Sequence, residues 1–191
     1  MSKIKILNII VLLISTVIIS GSILNSEQIE GIYFNDEYST PSAKLSLRGY
    51  SILNYMMVIR AYAGALYLEN GTFSDQSLSD KPRILELYYS HKISADDFRE
   101  STIEMIKKNT DSAGFSRIKK QVDTFNGFYK DVNPGDRYRA EYIPGKGTTL
   151  YLNGKSLGTI NEDEFSKAFF SIWIGNNPID KKFKNSLLGK K

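Results

Sequence analysis

Few residues in this chain are equipped for chemistry, and their spacing excludes most of it. There is no cysteine, which removes thiolate nucleophiles, disulfides and thiolate-held metals. The single histidine, His91, sits between Ser90 and Lys92 at the end of an apolar run. Alone it cannot furnish a multi-histidine metal site, and no Ser–His–Asp arrangement surrounds it. It reads as a solvated strand-end side chain. Gly145-Lys146-Gly147-Thr148-Thr149 invites a phosphate-loop reading, but such a loop would need glycine at Ala140 and Ser or Thr at Gly147. The segment joins two strands and opens no helix, so the dipole that would favour phosphate is missing. Glu162-Asp163-Glu164 and Asp96-Asp97 fall in the first turns of helices, where negative charge offsets the positive dipole end. Asn70-Gly71-Thr72 is a turn that happens to match a glycosylation sequon. No metal and no cofactor are expected.

The elements that must carry any site are legible in part. Gly31 to Phe34 and Lys44 to Leu47 read as short strands, and Ile52 to Leu68 as either a buried helix or a long strand. Arg83 to Tyr89 alternates, with Leu85, Leu87 and Tyr89 on one face and Ile84, Glu86 and Tyr88 on the other. A helix begins at Ser94, whose hydroxyl caps the free amides while Asp97 reaches back. Its inward stripe is Phe98, Thr102, Met105 and Ile106. A second helix covers Ser112 to Thr124. Tyr138 to Tyr142, Thr148 to Leu152 and Lys155 to Ile160 form an antiparallel meander, the last turn being Asn153-Gly154, a strong hairpin signal. Asn161 is expected to cap a third helix, whose Phe165, Ala168, Phe169, Ile172 and Trp173 make one face apolar until Gly175. Asp180 caps a short terminal helix with Phe183 and Leu187 inward.

With 191 residues and a hydrophobic share of 41%, the chain accommodates one core. A net charge of +4 is too mild for the dense basic face that nucleic acid requires, so no nucleic-acid partner is expected. Lys3 and Lys5 precede an apolar run from Ile6 to Ile19, followed by the small residues Ser20-Gly21-Ser22. That order describes a secretory signal over residues 1–22, with the mature domain at 23–191 exported to the periplasm or cell envelope. The run is short for a bilayer span of about 20 residues. Membrane contact is expected only if this segment stays uncleaved as an anchor.

Several segments, taken in order, resemble the bacterial chalcone isomerase-like family. They are Ala61-Tyr62-Ala63-Gly64-Ala65-Leu66-Tyr67-Leu68, Ile93-Ser94-Ala95-Asp96-Asp97-Phe98-Arg99-Glu100 and Phe125-Asn126. Asp131-Val132-Asn133-Pro134-Gly135-Asp136, Tyr142-Ile143-Pro144-Gly145-Lys146-Gly147 and Ile172-Trp173-Ile174-Gly175 continue the series. The resemblance spans Gly31 to Gly189 and implies an α+β fold, an antiparallel sheet with a layer of α-helices packed on one face and a ligand cleft between. It also implies that Ile52–Leu68 is a long strand.

The resemblance implies site residues too, and the chain departs from the family there. In the plant enzymes of this fold an arginine steadies the substrate phenolate while threonine and tyrosine hydroxyls activate the carbonyl side. Fatty-acid-binding relatives hold a carboxylate with an arginine and a tyrosine. Asn54 stands at the expected arginine, Tyr62 at the threonine and Phe98 at the tyrosine. A neutral amide cannot replace a charge-assisted, bidentate bond. Arg48 and Arg60 are the neighbouring cations, and Arg60 should share the face of Tyr62 by strand alternation. Asn54, Arg60, Tyr62 and Phe98 are therefore the expected ligand-binding residues, with Tyr55 and Met57 beside them. The expected function is non-catalytic binding of a small amphipathic molecule such as a fatty acid. An intramolecular lyase of the chalcone isomerase type and an envelope scaffold with a closed cleft are the alternatives. The same side chains would also serve simply to fill a core.

Overall fold

The computed structural model describes residues 26–55 and 59–190. The expected signal at residues 1–22 and Met57 lie outside the described residues, and so do the side chains of Tyr55 and Arg60. Among the described residues, no helix is long and apolar enough to cross a membrane.

A two-stranded ribbon of β1 (Ser26–Ile29) and β2 (Ile32–Asn35) precedes a seven-stranded antiparallel sheet. Its strands follow chain order: β3 (Glu37–Ser39), β4 (Lys44–Tyr55), β5 (Ile59–Glu69), β6 (Arg83–Tyr89), β7 (Arg137–Ile143), β8 (Gly147–Leu152) and β9 (Lys155–Ile160). Between β6 and β7 come α1 (Ala95–Asn109) and α2 (Ser112–Asn126), and after β9 come α3 (Asp163–Ile174) and α4 (Lys181–Leu187). The Ile52–Leu68 segment is thus not one strand. It reverses between β4 and β5, which pair with Tyr55 opposite Ile59. Met56-Met57-Val58 carries none of the Gly, Pro or Asn chemistry that announces a turn, so apolar patterning ran through the reversal unmarked.

Period-2 alternation divides the sheet into two faces, each with its own core. Tyr62, Leu66 and Leu68 of β5, with Leu85, Leu87 and Tyr89 of β6, face the helices. Ala63, Ala65, Tyr67 and Ile84 face the other way and are covered by Ile32 and Phe34 of the ribbon. The helix layer is held by capping that the sequence announces. Ser94 accepts from the Asp97 amide, while Asp97 accepts from the Ser94 amide at 3.1 Å. Ser94→Ala is expected to cost about 1 kcal/mol, read as a lower urea midpoint by circular dichroism; an unchanged midpoint would mean that α1 does not depend on its cap. Asp111 caps α2 and Asp180 caps α4. The α3 cap differs from expectation: it is Glu162, not Asn161, and its carboxylate accepts from the Glu164 and Phe165 amides. A glutamate reaches two orphan amides at once from a position that favours shorter side chains, which spacing alone does not signal.

The β8–β9 turn has the expected form, with φ of +49° at Asn153 and +81° at Gly154.

Candidate functional site

The sheet and the helix layer do not close completely on one another. A cavity of about 390 Å³ lies between them, within the range of about 300–1,000 Å³ usual for small-molecule sites. Its floor is the helix-facing side of the sheet, with Leu85 and Leu87 of β6, Ala140 of β7 and Leu150 of β8. Its roof is Phe98 and Thr102 of α1 and Phe169, Ile172 and Trp173 of α3. The exposed lining residues Asp97, Ser101 and Ile179 mark the mouth, between α1 and the α3–α4 connection.

Polar atoms inside this apolar hollow are mostly phenols. Tyr62, Tyr89 and Tyr138 rise from adjacent strands, and Tyr129 follows α2. The Trp173 indole N–H donates to the Tyr62 hydroxyl at 3.0 Å, tying α3 to β5. Tyr62 stands edge-on to Tyr89 and to Phe183 of α4, with centroids 5.8 Å and 5.6 Å apart. Gly64 permits that approach, because a Cβ there would come within 2.6 Å of the Phe183 ring. The Thr102 and Tyr129 hydroxyls share a hydrogen bond of 2.9 Å. The Tyr138 hydroxyl accepts from the Lys130 amide and donates to its carbonyl, at 2.7 Å and 2.8 Å.

Burial pushes the Tyr62, Tyr89 and Tyr129 phenols well above their ordinary value, so they stay protonated at any physiological pH. They can donate hydrogen bonds but cannot act as bases near neutrality. Asp97 at the mouth is held below the usual carboxylate range, first by the Ser94 hydroxyl and then by its amide. Among the described residues that line the cavity, none is Lys, Arg or His. Among the described residues, no group of three or more His, Asp or Glu side chains could hold a metal ion.

The structure brings Tyr62 and Phe98 to the cavity wall, both in edge contact with Tyr89. Asn54 is not brought there. It is exposed near the end of β4, whereas its neighbour Leu53 packs against the helix-side core. The register slips by one residue between Leu53/Tyr62 and Asn54/Arg60. The slip falls between Arg60 and Tyr62 on β5, and the Arg60 side chain lies outside the described residues. Arg48, the other neighbouring cation, is exposed and donates from Nε to the Leu188 carbonyl at 3.1 Å.

Sequence reasoning placed Tyr89 on the correct strand face and Trp173 on the apolar stripe of α3, yet assigned neither to the site. The available signal was that each carries a polar atom on an otherwise apolar row. Tyr129 lies beyond the expected helix end, in no periodic pattern, and Tyr138 opened a strand with nothing to distinguish it.

Among curated proteins, none matches the chain. Among solved structures, a fatty-acid-binding protein of Arabidopsis thaliana superposes with a TM-score of 0.68 at 15% sequence identity, over 86% of this chain and 96% of that one. At that identity the likeness is one of fold. Residues 26–189 match the chalcone isomerase-like family, and they include every strand and helix that builds the cavity. The chain belongs to the chalcone isomerase-like family.

Proposed function

We propose that the chain binds a small amphipathic molecule, such as a fatty acid, in the cavity between sheet and helices, and that it does so without catalysis. The observation that carries this reading is the cavity itself: apolar walls, a few convergent phenols that stay protonated, and a mouth open to solvent. Support comes from the shared fold of the plant fatty-acid-binding protein. Catalysis of the chalcone isomerase type calls for stabilisation of a developing negative charge. The described walls offer hydroxyl donors for that purpose, and the carboxylate of Asp97 would oppose it. The place of action we propose is outside the cytoplasm, on the strength of Lys3, Lys5 and the apolar run after them.

One preparation tests this. The full chain is expressed with its N-terminus intact, purified natively from the envelope fraction, weighed, and extracted with organic solvent for mass spectrometry. The expected result is a chain beginning near Ile23 and a recurrent amphiphile in the extract. That amphiphile should be lost in Ala140→Phe, which thrusts a ring into the cavity from β7. A chain recovered only from the cytoplasm would remove the proposed location. Empty extracts, together with no saturable uptake of an added lipid, would remove the binding function.

A further inference from the structure

The cavity has hydrogen-bond donors in excess and, among its described walls, no positive charge. The Tyr62 oxygen accepts from Trp173, and its own proton goes to no described residue. Tyr89 is 2% exposed, its ring lies 5.8 Å from that of Tyr62 and 5.9 Å from that of Tyr138, and its hydroxyl makes no hydrogen bond to any described residue. One proton of the Thr102–Tyr129 pair is likewise free, since a single hydrogen bond uses only one of the two. A donor that a guest cuts off from water is costly if left unpaired, so a guest that fills the cavity gains by supplying an acceptor oxygen.

An ionised carboxylate would meet the same donors but would have to shed its water with no cation among the described walls to offset the charge, and groups in that position take up a proton instead. We infer that the guest is bound in an uncharged form, with an acceptor oxygen directed at the Tyr62–Tyr89 end of the cavity. This rests on the ligand-binding reading above and narrows its chemistry. Esters, ketones and protonated acids fit, and free carboxylates do not.

The titratable groups that face the guest do not change state between about pH 5 and about pH 8, given ordinary tyrosine values near 10 and carboxylate values near 4. Tyr62 of β5, Tyr89 of β6, Tyr138 of β7 and Tyr129 after α2 are all pushed up by burial. Asp97 of α1 is held down and stays negative at the mouth, where it further opposes an anion. From α3 the walls are Phe169, Ile172 and Trp173, none of which ionises. A pH dependence that arises among the described walls of the cavity in this range therefore comes from the guest.

The test is displacement of the neutral dye Nile red from the full chain by methyl decanoate and by decanoic acid across that range. The ester should bind with a flat profile. The acid should weaken about tenfold for each pH unit above its own pKa of about 4–5, because only its protonated form is taken. Tyr89→Phe, which keeps the ring, should weaken ester binding about fivefold to tenfold, the loss of one hydrogen bond, at an unchanged melting temperature. If the acid binds with a flat profile, or more tightly than the ester at about pH 8, the inference is overturned while ligand binding stands. If Tyr89→Phe leaves ester affinity unchanged, the assigned end of the cavity is wrong. If neither compound displaces the dye, both the inference and the binding function fail.

Discussion

Phe169→Ala is expected to lower the unfolding free energy by about 3–5 kcal/mol, the usual cost of deleting a buried aromatic ring. Phe169 is 2% exposed and stands at the centre of the helix layer. Its ring lies 4.6 Å from that of Phe125 on α2, 5.6 Å from Phe170 and 5.3 Å from Trp173. It also forms part of the cavity roof, so the void left by truncation adjoins space already present. The loss would consume much of the stability of a typical domain, about 5–15 kcal/mol. Urea denaturation followed by circular dichroism measures it. A loss below about 1 kcal/mol would mean that the neighbouring rings close over the gap, and that the cluster is not what joins α2 to α3.

On the opposite face of the sheet, Glu86→Ala is expected to cost about 3 kcal/mol, at the low end for breaking a buried charge pair. Glu86 is 5% exposed, accepts from the Tyr38 hydroxyl at 2.7 Å and pairs with Arg137. Removing the carboxylate leaves a half-buried guanidinium with its ordering cost unmet. Arg137 keeps some solvent contact, which places the effect at the lower limit rather than the upper. Arg137 also donates to the Tyr33 carbonyl at 2.8 Å and lies over the Phe34 ring, so the β1–β2 ribbon should loosen with it. Glu86→Gln keeps one acceptor oxygen, for Arg137, and its amide N–H can donate to a Tyr38 hydroxyl turned to accept, so it should lose about half as much. Ligand affinity should stay at the wild-type value in both variants, because this cluster and the cavity lie on different faces. A marked loss of affinity in Glu86→Gln would show that the two cores are coupled through the sheet.

Much of the scaffold was readable because local chemistry and fold agree there. The Ser94–Asp97 capping box, the Asn153-Gly154 turn and the alternation of β6 each depend on residues close in sequence, and each appears where spacing puts it. The helix-on-sheet architecture followed from family resemblance and is the one observed. What spacing could not reveal were features decided at a distance. The β4–β5 reversal lacks turn residues, and β1 is defined only by its pairing with β2. Family position named Tyr62 and Phe98, but the register slips by one residue between Arg60 and Tyr62, and no sequence rule announces that slip. The remaining phenols converge from β6, β7 and the segment after α2, elements whose juxtaposition exists only once the sheet has formed.

The β1–β2 ribbon lies across the back of the sheet, away from the helices, and is pinned there by Phe34 and Arg137. Whatever precedes Ser26 therefore joins the domain behind the sheet, while the opening beside Ile179 faces out from the helical side. A tag or fusion partner joined there would leave the domain from the side of the sheet turned away from the helices.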